Sequence, residues 1–460
     1  MTATGSTQGP VPEALPRPQV VAPEPYAVPV PARRTLDNGL TVLAYDLPGQ
    51  YVLSVRLAVP LPLRVEPRDK EGVATIMART LDEGTARHTS AEFARLLERR
   101  GVALGAGVGD SGLSVDVDVA KRHVAYALDL LRQCLVEPAF PAADVARHVT
   151  TRLAEIEQER SVASHRAVRE LAATFFDPQA RSARPAGGTA ETVAAITRDD
   201  VARLHAGHVA PARATLVVAG DLAGLDAFAL VADALGGWQT PAAYVDPGPW
   251  QASAEAPDRA RIVLVDRPGS VQTEIVVACP GPDRHVAQGW APYPVLGFVV
   301  GGSPTARVDA LLREEKGYTY GIRAAFRPRR VGGLFLVSGS VRSEVTGEAV
   351  RDLLAVLDGA RDGFTEAECE QGRQYLVRTA PARYATADTV ADEAAGLSYD
   401  GLGTDFTTGI LAEIAQMTPA RLDAAYRRFV GGRWTVVLVG DAAAIEPGVR
   451  GLGEVTVVPN

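Results

Sequence analysis

A long internal repeat constrains this chain more than any other feature. The run Ala212-Arg-Ala-Thr-Leu-Val-Val-Ala-Gly-Asp221 returns as Gly432-Arg-Trp-Thr-Val-Val-Leu-Val-Gly-Asp441, which places Gly440 220 residues after Gly220. Upstream of each copy an amphipathic stretch opens on a threonine, Thr197 in the first half and Thr418 in the second. A threonine at that place can accept from the first unpaired N–H groups of a helix, so both are predicted N-caps. Pairs of alternating strands at 40–45 and 52–59 recur in the same order at 262–265 and 271–278. The tight-turn run Asp37-Asn38-Gly39 announces the first pair. A repeat this long predicts two related lobes, each burying the apolar face of its own sheet.

Between the strands the periodicity predicts helices over 90–100, 121–136 and 141–164 in the first half. The second half predicts them over 305–315, 344–361 and 365–377. Strands and helices mix without a strict β-α-β rhythm. The expectation is therefore α+β, two duplicated lobes, each a mainly antiparallel sheet flanked by helices. Residues 1–33 carry eight prolines and read as an extended N-terminal arm, because proline neither propagates helix nor pairs centrally in a sheet. Pro241, Pro247, Pro249 and Pro257 break the pattern again, so the lobes are placed at 34–238 and 261–460 with a linker at 239–260.

Composition excludes several classes of function. The net charge of −8 offers no basic footprint for nucleic acid or an anionic membrane surface. No run of about 18 apolar residues is found, so no membrane span is expected. Residues 1–10 lack the basic start and apolar core of a secretory signal. Cys134, Cys279 and Cys369 are odd in number and far apart, which argues against a disulfide framework or a thiolate zinc site. The expected location is cytoplasmic.

Two segments carry the chemistry. The first is Gly72-Val-Ala-Thr-Ile-Met-Ala-Arg-Thr-Leu-Asp-Glu-Gly-Thr85. It resembles the zinc helix of the insulinase (pitrilysin) family of inverted zinc metallopeptidases, where the pattern is Gly-hydrophobic-Ala-His-x-x-Glu-His and then Gly-Thr. Gly72, Ala74, Gly84 and Thr85 stand where the resemblance places the frame. Thr75 and Arg79 stand at the two histidine positions and Ala78 at the glutamate. Two imidazoles one helical turn apart hold zinc and the carboxylate activates its water, so this helix has lost both functions. Glu155, 76 positions after Arg79, matches the third ligand that the resemblance implies. By itself it reads as a solvated or salt-bridged helix residue. His205 and His208 read as surface histidines, and no metal is expected in this chain.

The second segment is Gly301-Gly302-Ser303-Pro-Thr-Ala-Arg307, followed by Arg313-Glu-Glu-Lys-Gly-Tyr-Thr-Tyr-Gly321. It is similar to the glycine-rich loop and the arginine–tyrosine pair of the same family's C-terminal lobe. The resemblance gives Arg313 and Tyr320 a role across a closed chamber, beside the scissile peptide. Gly301, Gly302 and Ser303 would contact substrate. A tyrosine hydroxyl can donate to the oxyanion of peptide hydrolysis, and a guanidinium offers a fork to carbonyl or carboxylate oxygens. The alternative is a helix-surface arginine and a half-buried strand tyrosine.

The resemblance implies half of a clam-shell: a subunit without zinc that joins a homologous zinc-bearing peptidase subunit to cleave small or unfolded peptides. The cofactor would be zinc in the partner and none in this chain. A catalytically inert structural or peptide-binding protein of the same fold is the rival expectation. Segments 107–119 and 332–341 alternate cleanly. Each is either an edge strand able to take up an extended peptide or an ordinary internal strand.

Overall fold

A computed structural model describes residues 24–460. The first half builds a six-stranded sheet from β1 (Ala32–Thr35), β2 (Thr41–Asp46), β3 (Val52–Pro60), β4 (Ala103–Gly109), β5 (Gly112–Ala120) and β6 (Thr215–Gly220). Their order is β1-β2-β6-β3-β5-β4. The second half repeats this with β7 (Ile262–Asp266), β8 (Gln272–Gly281), β9 (Ile322–Pro328), β10 (Gly333–Arg342), β11 (Thr435–Gly440) and β12 (Val455–Pro459). Here the order is β12-β7-β11-β8-β10-β9. Both sheets are mixed: β2 runs parallel to β6, and β7 runs parallel to β11 and β12, while the other pairings are antiparallel.

The repeated Gly-Asp run has a mechanical reason. Asp221 Oδ2 accepts from Gly49 N at 2.8 Å, and Asp441 Oδ2 accepts from Gly269 N at 2.8 Å. Each pair is separated by the same 172 residues. Asp46 Oδ1 accepts from Leu222 N and Asp266 Oδ1 accepts from Ala442 N, across the same 176 residues in each lobe. These bonds tie the turn after the first central strand to the end of its parallel neighbour. Thr197 caps its helix as expected, accepting from Asp200 N in a capping box. Thr418 occupies the N-cap without a side-chain bond, with Pro419 at the first helical position.

Each sheet packs one face on its own lobe's helices. The opposite faces are covered by helices exchanged between the lobes, which the repeat does not reveal. Ala163–Phe175, from the first half, places Ala167, Leu171 and Phe175 on Val263, Val276 and Val437 of the second sheet. Ala387–Tyr399, from the second half, places Val390, Ala391 and Ala394 on Leu43, Tyr45, Val217 and Ala219 of the first. Arg56 of β3, buried, donates to Asp392 of that helix at 2.6 Å and to Asp118 at 3.0 Å, adding a charged clamp.

Where one long helix was expected over 141–164, the structure has Ala142–Ser161, an extended Val162, and then Ala163–Phe175. That break redirects the chain onto the other lobe. The expected arm at 1–33 lies outside the described residues up to position 23. Its remainder docks, with Val28 buried and its N–H donating to Thr408 Oγ1 at 3.1 Å. Pro292–Glu315 is long and apolar enough to cross a membrane by those two measures. Of its apolar window 67% is buried, and the helix packs in the second lobe's core.

Candidate functional site

The degenerate zinc segment forms a seven-residue helix, Val73–Arg79. Gly72 precedes it at φ 99°, and a Cβ there would lie 2.8 Å from the Gly187 carbonyl oxygen, so only glycine fits. The buried carboxylate of Glu66 accepts from Gly72 N and Ala74 N, both at 3.0 Å, and from Arg181 at 2.7 Å. Burial pushes the Glu66 carboxyl up, against these three donors. Thr85 is buried, bonded through its hydroxyl to Gln133 at 3.2 Å. The retained residues of the motif therefore hold the helix in place whether or not it binds metal.

The lost residues tell a different story. Ala78 is buried and Thr75 half-buried. Arg79 Nη1 donates to Glu155 Oε1 at 2.9 Å, so the carboxylate matching the family's third ligand is bound by a guanidinium. The second oxygen of Glu155 accepts from Arg152 at 3.1 Å. Arg152, also buried, reaches Glu159 at 2.5 Å and the Gly187 carbonyl at 3.1 Å. The Arg79 hydrogen bond holds the Glu155 carboxyl below its ordinary range. A permanent cation beside a threonine and an alanine does not fit zinc. Among the described residues no cluster of three or more histidine, cysteine or acidic groups is arranged to hold a metal. Arg152 and Glu159 escaped the sequence reading, although their spacing of three and four residues from Glu155 puts all three on one helix face.

The second segment places its residues unequally. A π-helical turn, Ala310–Glu315, carries Arg313, whose Nε stands 3.5 Å from Glu314. Gly317 N bonds the Arg313 carbonyl at 3.1 Å and ends the helix. The following turn is pinned on both sides of Tyr320. Thr319 donates to the Ser340 carbonyl at 2.7 Å, and the buried Asp309 accepts from Ile322 N at 2.8 Å and from Arg323 at 2.7 Å. Tyr320 projects from it 94% exposed, and among the described residues no hydrogen bond engages its hydroxyl. It is neither a strand residue nor half-buried. Gly301 is buried where a Cβ would meet Ala324 N at 2.7 Å, and Ser303 is buried with its hydroxyl 3.2 Å from Thr305. Of the three expected contact residues only Gly302 is open to solvent.

The segment at 107–119 spans the end of the edge strand β4 and most of the internal β5, and that at 332–341 falls on the internal β10. The open edges are their neighbours β4 and β9. Where surface histidines were expected, His205 and His208 are half-buried and engage the carbonyls of Leu135 and Val245 at 3.1 and 3.2 Å. A cavity of about 1050 Å³ opens between the lobes, with Glu159 on its wall.

Family models place these segments in context. Residues 41–185 match the model described as insulinase (peptidase family M16), and residues 195–376 match the peptidase M16 inactive domain. The chain belongs to the M16 (insulinase) family. An uncharacterised zinc protease of Mycobacterium tuberculosis is 27% identical over 365 residues, 75% of this chain and 78% of that protein. A non-peptidase homolog of Helicobacter pylori, YmxG, is 23% identical over 354 residues, covering 76% and 80%. The fold matches the M16 inactive domain from Pseudomonas fluorescens at a TM-score of 0.82 and 21% identity, covering 90% of this chain and 98% of that one. A Helicobacter pylori protease matches at 0.81 and 15% identity, covering 90% and 100%. M16 relatives thus include proteins named as proteases and one named as a non-peptidase homolog.

Proposed function

We propose that this M16 chain is the zinc-free subunit of a two-chain metallopeptidase acting on small or unfolded peptides in the cytoplasm. A homologous subunit would carry the zinc and its activated water. The reading rests on Arg79, which stands at a histidine position of the zinc helix and binds Glu155, and on Tyr320, which stands exposed on a pinned turn with no hydrogen bond to its hydroxyl among the described residues. A side chain so exposed adds little to stability, which leaves Tyr320 available to a substrate or a partner.

In that role the Tyr320 hydroxyl donates to the oxyanion developing on the scissile carbonyl, and such a donor contributes about 3 kcal/mol in comparable sites. Arg313 orients the substrate through its planar fork, and the open Gly302 lets the peptide backbone approach closely. The free edge of β4 offers main-chain groups to an extended substrate, and Gly105 and Gly109 leave open space where side chains would stand. The three cysteines are unpaired and buried, in keeping with a reducing compartment.

The deciding experiment is reconstitution. The chain alone should neither bind stoichiometric zinc nor cleave peptides. Paired with the zinc-bearing subunit it should cleave, and Tyr320→Phe should slow turnover without separating the subunits. Arg313 leans on Glu314 rather than standing free, which favours the second reading, an inert structural or peptide-binding protein. Full activity in complexes carrying both Tyr320→Phe and Arg313→Ala would establish that second reading.

A further inference from the structure

We propose that the inter-lobe cavity is a binding site for an apolar carboxylate, with Arg169 as its anion anchor. The inference stands apart from peptide cleavage, because the site lies wholly within this chain.

Its apolar walls include Val168 and Leu171 of the exchanged Ala163–Phe175 helix, Trp250 of the linker, and Leu334 and Leu336 of β10. Val168 is 55% exposed, an apolar side chain left open on an otherwise packing helix. Leu334 and Leu336 lie only partly covered on the face of β10 that turns toward this helix. The volume of about 1050 Å³ is at the upper end of what small-molecule sites use.

Charge selects the ligand. Six arginines line the cavity against three carboxylates, Asp110, Glu159 and Asp177, in a chain whose net charge is −8. Most are already committed: Arg181 to Glu66, Arg184 to Glu71, Arg329 to Asp110 at 3.0 Å, and Glu159 to Arg152. Arg64 donates through Nη2 to the carbonyls of Pro247 and Pro249. Arg330 faces Asp400 at 3.9 Å with Nη1 buried and unbonded. Arg169 has no carboxylate within ion-pair distance and no hydrogen bond among the described residues. Burial and the neighbouring Arg166 and Arg160 lower its pKa, while the nearby Glu170 and Glu159 act against them. Arg169 is exposed on the cavity wall, and its unpaired guanidinium is free to donate to a ligand carboxylate there. The apolar lining then selects the body attached to it.

The C-terminal end of an apolar peptide and a free long-chain carboxylate share this chemistry. Titration calorimetry on the full chain separates them with four probes. These are a blocked apolar hexapeptide ending in leucine as its free acid, the same peptide as its C-terminal amide, laurate, and 1-dodecanol. At least one acid should bind, with its uncharged counterpart about tenfold weaker, the loss of one charge-assisted hydrogen bond. Arg169→Ala should bring the acid down to the level of the uncharged probe. Val168→Glu, at an exposed position where folding is safe, should weaken both acids by placing a like charge on the wall. Whichever acid binds names the source. Equal binding of acid and uncharged probe, no binding of any probe, or indifference to both substitutions overturns the site. Cleavage slowed by Tyr320→Phe with no binding here would leave the hydrolytic reading standing alone. Binding here with no cleavage beside the zinc subunit would do the reverse.

Discussion

The Arg79 guanidinium donates to Glu155 at 2.9 Å, so a residue standing at a histidine position of the family's zinc motif now neutralises the carboxylate that matches its third ligand. The two groups are each about one-third exposed, at 32% and 34%. A pair so open to water contributes little, less than about 1 kcal/mol. Arg79→Ala should therefore lower stability only slightly in chemical denaturation near neutral pH. The sign is fixed by the depressed Glu155 carboxyl. Its contribution is present above the ordinary carboxylate pKa and fades as pH falls through the lowered one. The wild-type advantage over Arg79→Ala should therefore shrink in acid and not in base.

The frame of the zinc helix survives independently of the metal. The triple change Thr75→His, Ala78→Glu, Arg79→His frees Glu155 from Arg79 and supplies two imidazoles one turn apart. Elemental analysis of this variant should find zinc near one per chain, and the parent should hold none. A metal-free triple variant that folds like the parent would show that Arg152 keeps Glu155 out of reach.

Gly72 has the least freedom of substitution in that frame. Gly72→Ala puts a Cβ 2.8 Å from the Gly187 carbonyl at φ 99°. The unfolding free energy should fall by about 2 kcal/mol or more, measured by urea titration.

Tyr320 and Asp309 should separate function from stability. Tyr320→Phe, at a 94% exposed position, should leave the melting temperature unchanged and cut turnover of the reconstituted peptidase about a hundredfold. Asp309→Ala removes the buried acceptor of Ile322 N and Arg323, and should lower stability by about 2 kcal/mol while loosening the Tyr320 turn.

His205 gives the fold an acid-sensitive point. Burial pulls its pKa from 6.5 to about 4, with Nε2 3.1 Å from the Leu135 carbonyl. The unfolded chain binds the proton first, so the stability is complete above the ordinary histidine pKa. It is lost as pH falls toward 4, by about 3 kcal/mol in all. His205→Gln, which keeps a donor and does not titrate, should flatten that part of the stability–pH curve.

The sequence alone determined the two-lobed α+β plan, because the repeat copies a set of bonds: Asp221 to Gly49 and Asp441 to Gly269 span the same number of residues in each half. It also determined that the zinc helix is emptied, since ligand chemistry is a property of residue type. Position along the chain does not say which sheet a helix will cover. An extended Val162 sends Ala163–Phe175 onto the second lobe, and Ala387–Tyr399 returns to the first, where apolar faces of matching shape await them. Only tertiary packing could decide that exchange, and with it the Arg79–Glu155 pair, the outward stance of Tyr320 and the cavity around Arg169. Each of these depends on contacts between segments tens to hundreds of residues apart, which no local pattern encodes.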